Sequence, residues 1–70
     1  MEKVKVYYDR EGNTLTVWFG ESADEYICEE TGDEIIIMKD KNGNVLGFEK
    51  LNYLSGSPAD RTVVFETAMV

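Results

Sequence analysis

Histidine is absent from this sequence of 70 residues, and cysteine and proline occur once each, as Cys28 and Pro58. Without histidine the chain lacks the commonest general base and the usual Cys/His zinc sets. A single cysteine excludes an internal disulfide and fits a reducing compartment. Basic residues are also scarce: 7 Lys and Arg stand against 14 Asp and Glu, for a net charge of -7. Grip on nucleic acid comes from clustered Lys and Arg, and anionic membranes attract the same residues, so neither is an expected partner. No apolar run approaches a membrane span, and the opening Met-Glu-Lys-Val-Lys lacks the hydrophobic stretch of a signal peptide. No phosphate loop, dinucleotide fingerprint or hydrolase elbow is present. The expectation is a cytoplasmic, non-enzymatic protein with no cofactor and no metal.

A chain this short makes one domain and buries only about 60 % of its unfolded surface. Ordering it costs about 1.5 kcal/mol per residue, which roughly cancels the return from apolar burial. Small domains escape through disulfides, metals or self-association. The first two are excluded by composition, so a homodimer is expected.

Apolar residues alternate in short runs separated by turn formers. Val4, Val6 and Tyr8 share one face of a first strand; Leu15, Val17 and Phe19 share one face of a second. A loop of two or four residues between them pairs Val6 with Val17 and Tyr8 with Leu15. A three-residue loop would turn one set to the wrong face. Residues 25–30 read as a third strand, with Tyr26 and the small core residue Cys28 on one side. Ile35, Ile36, Ile37 and Met38 are apolar on both faces, as in a strand covered on both sides. Asn42-Gly43 then signals a type I′ hairpin that pairs Ile37 with Phe48, Ile36 with Glu49, Met38 with Gly47 and Lys39 with Leu46. The frames beginning at Asp9 and Asp40 match in Asp, basic, polar, Gly, Asn, β-branched and Leu. Gly12, Asn13, Asn42 and Gly43 are the structural turn residues, and convergence on good turn chemistry accounts for the likeness.

The expected fold is all-β: an antiparallel β-meander of five strands near residues 3–9, 14–19, 25–30, 34–40 and 45–51, built from hairpins. Residues 1–54 form this sheet domain, and residues 55–70 are a C-terminal tail packing on the sheet or on a partner chain. Ser57-Pro58-Ala59-Asp60 suits one helical turn. Residues 62–67 are β-branched and predict an extended segment, a sixth strand in its own sheet or one exchanged in a dimer; continued helix is the alternative.

Residues 21–34 carry acids and no Lys or Arg. Glu25, Glu29, Glu30, Asp33 and Glu34, with the aromatic Trp18 and Tyr7, are the candidate partner-binding residues, suited to a basic protein. The plainer reading is a solvated, charged strand edge that resists edge-to-edge pairing. Ile36, Met38, Val63 and Phe65 are the candidate dimer interface. Asp40-x-Asn42-Gly43-Asn44 does not fit a calcium loop, because its glycine comes too early and the twelfth position is Leu51. Glu49 faces Ile36, where a carboxylate draws attention as an acid, but no second group is placed to work with it. Gly47 within a strand marks a close approach by an aromatic ring such as Tyr53 or Phe65, or by a partner chain.

Taken together, Tyr8-Asp9, Leu15-x-Val17, Glu29-Glu30 and Asp40-x-x-Gly43-x-Val45-Leu46-Gly47-Phe48-Glu49 resemble the small prokaryotic domain of unknown function numbered 2283 (DUF2283). The resemblance covers approximately residues 4–54 and leaves the tail outside. It implies a small β-rich fold in a bacterial or archaeal cell, with no established activity and no catalytic residues to carry over. Some relatives look like companions of small toxin-like proteins, which implies an antitoxin-like inhibitor as the second functional expectation.

Overall fold

The structure is a computed structural model and describes residues 3–69; Met1, Glu2 and Val70, the ends of the two expected segments, lie outside it. Five strands form one antiparallel sheet: β1 (Lys5–Asp9), β2 (Thr14–Trp18), β3 (Ile27–Glu30), β4 (Ile35–Lys39) and β5 (Val45–Lys50). Single 3₁₀ turns occur at Ser22–Asp24 and Pro58–Asp60. The all-β antiparallel reading stands, with one correction to the meander. The strand order is β1-β2-β5-β4-β3, so β2 pairs with β5 and the chain crosses to the far edge before β3. Composition explains the swap. The acids of β3 (Ile-Cys-Glu-Glu) reach water at an edge, whereas Val17 and Trp18 of β2 meet Phe48 and Gly47 of β5.

The β1–β2 register is the expected one, with Val6 opposite Val17, Tyr8 opposite Leu15 and Asp9 opposite Thr14. That leaves residues 10–13 as a four-residue loop, closed by Asn13 at φ 54°. The second hairpin keeps Ile37 opposite Phe48 and Met38 opposite Gly47, but not the predicted turn. Gly43 has φ 85°, whereas Asn42 does not adopt positive φ, and the Gly43 N–H donates to the Asp40 carbonyl at 3.1 Å. Lys41, Asn42 and Gly43 thus make a three-residue loop of the type I plus left-handed residue kind, not type I′. Lys39 consequently faces Val45 instead of Leu46. A bulge restores the register at Met38, because without it every side chain of one strand would change faces. The Leu46 carbonyl at this bulge accepts from both Phe19 and Gly20, each at 2.9 Å, and so anchors the start of the crossing.

Asp40 holds the second turn. Its carboxylate accepts from the Asn42 N–H (2.8 Å), the Asn44 N–H (2.9 Å) and the Asn44 amide (3.0 Å). These donors, the Asn44 side chain first, hold its carboxyl below the usual carboxylate range. A pKa lowered by folding means that ionised Asp40 favours the folded turn above the unfolded value, near 4. That contribution is lost as pH falls through the lowered value. Asp40→Asn keeps an acceptor but cannot titrate, so it is expected to flatten the acid dependence of Gly43 and Asn44 amide exchange. An unchanged acid profile would contradict the assignment. Asp9 repeats the motif on Glu11 and Gly12, at 3.1 and 3.2 Å. The left-handed residue falls at Asn13 in one loop and at Gly43 in the other, so one frame serves two different turns.

After β5 the chain returns to the first turn. Asn13, only 4 % exposed, accepts on Oδ1 from the Tyr8 hydroxyl (2.6 Å) and the Leu54 N–H (3.0 Å), and its amide donates to the Leu54 carbonyl. The Tyr53 N–H donates to the Asn13 carbonyl at 3.0 Å, and the Tyr53 ring sits edge-on to Tyr8 at 6.3 Å. The expected helical turn at Pro58 is present, although the Ser57 hydroxyl donates to the Asp60 carboxylate instead of capping backbone. Arg61 then donates to the carbonyls of Arg10 (2.9 Å) and Glu11 (3.2 Å). Residues 62–69 form no strand, which corrects the expected sixth strand within the protomer, and they form no helix either.

Candidate functional site

Cross-strand register sorts the sheet into two unlike faces. One face carries the row Val6, Val17, Phe48, Ile37, which runs across four strands and ends at Glu29 of β3. A second row on that face holds Tyr8, Leu15, Lys50 and Ile35. The opposite face carries Tyr7, Thr16, Glu49, Ile36 and Glu30 in one row, and Lys5, Trp18, Gly47, Met38 and Cys28 in the next. The first face is apolar except at its margins; the second is mixed.

Neither face is closed. Leu15, Met38 and Leu46 are the buried apolar residues, while Val4, Val6, Phe19, Ile27, Tyr53 and Phe65 are among the large apolar side chains left exposed. The chain exposes 5635 Å². A compact monomer of its 8.0 kDa exposes about 4,450 Å², so the excess is about 1,200 Å². The radius of gyration, 13.4 Å, likewise exceeds the value of about 11 Å expected for a compact chain of this length.

Several predicted residues sit differently from expectation. Met38 is 2 % exposed, already covered within the protomer, so it offers no surface to a second copy. Ile36 is half-buried between Glu49 and Glu30 in its row. Ile35, Ile36 and Ile37 are alike half-buried, and the exposed apolar side chains Val6 and Ile27 lie on the Ile35/Ile37 side of the sheet. Val63 is half-buried and Phe65 exposed, both on residues 62–69. Trp18 and Tyr7 share the mixed face, whereas Tyr53 sits edge-on to Tyr8 of the other face. The close approach at Gly47 comes from β2: a β-carbon there would lie 2.2 Å from the Val17 carbonyl oxygen and 3.2 Å from the Trp18 ring. Neither Tyr53 nor Phe65 is the ring over it.

The acids split into engaged and free. Glu29 pairs with Lys39 at 2.6 Å, and Glu34 with Lys50 at 3.4 Å and with the Asn52 amide at 3.0 Å. Glu25 accepts from the Cys28 thiol at 2.6 Å. Glu30 and Asp33 stay exposed to solvent. Much of the segment expected to meet a basic partner is thus tied to its own chain. An open depression of about 470 Å³ lies between the crossing and the second hairpin, lined by residues 23–26 and 40–42. No group of three metal-ligating acids or cysteines occurs among the described residues. No helix among them is long and apolar enough to cross a membrane.

Cys28 is exposed, not a core residue, because β3 is an edge strand. Its hydrogen bond to Glu25 is the main cause that raises the thiol pKa, with the negative charges of Glu25 and Glu49 adding to it. Alkylation by iodoacetamide at pH 8 is expected to be slower than for free cysteine and to accelerate several-fold in Glu25→Gln, since the thiolate is the nucleophile. Equal rates in the two proteins would refute the pairing.

Sequence reading missed Asn13 and Arg61 as the residues that bind the returning chain. Asn13 was visible as a turn former only, and Arg61 contacts carbonyls about fifty positions away that no local pattern marks. A family described as "Protein of unknown function (DUF2283)" matches residues 5–53, which spans the sheet and stops before residues 62–69. No curated protein and no solved structure matches the chain.

Proposed function

The chain belongs to the DUF2283 family, and we propose that it is a non-enzymatic protein–protein interaction module that works as a self-associated sheet. The excess exposed surface of about 1,200 Å², shared between the sheet face and residues 62–69, carries this reading, because a standard interface buries about 800 Å² on each partner. The Val6, Val17, Phe48, Ile37 row supplies an apolar centre, and Lys50, Lys39 and Glu29 supply a polar rim. Covering this face gives the thin core the second layer that sheets ordinarily require. The proposed assembly is a cytoplasmic homodimer.

Ile27 tests the reading. It lies at the margin of the apolar face, 49 % exposed and opposite Lys39. An isolated protomer tolerates Ile27→Asp, since an acid opposite Lys39 is a favourable cross-strand pair. Inside an interface the same acid is taken out of water, and that desolvation costs more than its attraction to Lys39 returns. The substitution is expected to lower the dimer fraction at least tenfold in sedimentation velocity, with the sheet circular-dichroism signal retained. Unchanged association would contradict the use of this face.

A further inference from the structure

Residues 62–69, Thr-Val-Val-Phe-Glu-Thr-Ala-Met, are the least paired part of the described chain. None of them makes a backbone–backbone hydrogen bond among the described residues, and Val64, Phe65 and Met69 are 81, 56 and 101 % exposed. Yet the composition is that of a strand, β-branched and aromatic. Arg61 fixes the root of this arm at the β1–β2 loop, with extended backbone at φ -80° and ψ 109°. No Gly, Pro or Asn follows to reverse the chain, and among residues 62–69 Val63 alone is half-buried while the rest are exposed.

We propose that the arm adds as a sixth strand to the free edge of β1 in a second copy of the chain, an exchange that rests on the self-association argued above. The sheet has two free edges, β1 and β3, and charge separates them. Against β3, Glu66 would meet Glu29 or Glu30, and like charges on neighbouring strands destabilise. Against β1 both faces match. The arm alternates Val63 and Phe65 on one side with Val64 and Glu66 on the other; the β1 edge alternates Val4, Val6 and Tyr8 with Lys3, Lys5 and Tyr7. Laid antiparallel with Phe65 beside Val6, 37 % exposed, and Val63 beside Tyr8, the arm sets Glu66 opposite Lys5. Eight extended residues span about 26 Å, more than the roughly 17 Å of a five-residue strand. Each copy gives one arm and offers one edge, so the exchange is two-fold and closes at a dimer. The edge that a lone sheet leaves open for aggregation is thereby occupied.

The test uses full-length chains with Cys28→Ser. Isotope-labelled Lys5→Cys protein is mixed with unlabelled Glu66→Cys protein and oxidised, and the linked peptides are read by mass spectrometry. The expected product is a disulfide between labelled position 5 and unlabelled position 66. Lys5→Glu, free of any cysteine, is expected to weaken the dimer about tenfold, and Glu66→Lys in the same chain to restore it. A dimer with no 5–66 linkage and no response to charge reversal overturns the arm exchange and leaves the self-association reading standing. A doubly substituted chain that closes its own 5–66 disulfide at monomer mass overturns the exchange. A monomer at every concentration overturns both.

Discussion

Gly47→Ala is expected to destabilise the protein by about 3 kcal/mol, at the upper end for one added methyl in a packed site. The β-carbon would stand 2.2 Å from the Val17 carbonyl oxygen and 3.1 Å from the Trp18 α-carbon, and both obstacles are backbone. No rotamer change relieves that. The only relief is to move β2 away from β5, the pairing that joins the β1–β2 hairpin to the rest of the sheet. Total stability for a chain of this length is about 4–10 kcal/mol, so the variant should unfold at much lower urea, or accumulate partly unfolded with β1–β2 detached. Gly20→Ala is the control. Its β-carbon would meet the Leu46 side chain at 2.6 Å, an obstacle with rotamer freedom, so the cost should be smaller. Equal midpoints for Gly47→Ala and the parent would show that the two strands do not approach as described.

Asn13→Ala should cost a similar amount, about 3 kcal/mol, by a different route. The substitution leaves the N–H and carbonyl of Leu54 and the Tyr8 hydroxyl without their partner. It also places alanine at φ 54°, where asparagine is tolerated and a plain β-carbon is disfavoured. Asn13→Gly separates the two terms, because glycine removes the backbone penalty and keeps the lost hydrogen bonds. The expected order of urea midpoints is parent, then glycine, then alanine. A glycine variant as stable as the parent would mean that the clamp on residues 53–54 contributes nothing. Since Tyr53 and Arg61 dock on the same loop, amide protection across residues 53–61 should fall in both variants.

These two residues mark where sequence reading succeeds and where it stops. Side-chain period fixes faces, so the Val6–Val17 and Ile37–Phe48 pairings were legible from alternation alone. Turn geometry was less legible. The frame at Asp40 admits a two-residue loop or a three-residue loop with a bulge, and both keep Met38 opposite Gly47. The order of strands was not legible, because β2 accepts either β3 or β5 on local pattern; the Trp18–Gly47 match decides it only once the strands are brought together. Gly47 announced a close approach without naming what approached. The candidate site shared this limit. Three consecutive isoleucines implied cover on both faces of β4, but which face closes within the protomer depends on the twist and on neighbours three strands away. Met38 proved covered, while the exposed Val6 and Ile27 fell on the Ile37 side.

Self-association through the open face is the claim on which the functional reading rests, and the solution mass measures it most directly. Multi-angle light scattering at micromolar protein, in 0.1 and 1 M NaCl, is predicted to give twice the 8.0 kDa chain mass at both salts, because apolar area holds the assembly and salt does not screen it. A mass of one chain at both salts would contradict the account. So would a dimer that dissociates in high salt, since that would be an interface held by charge.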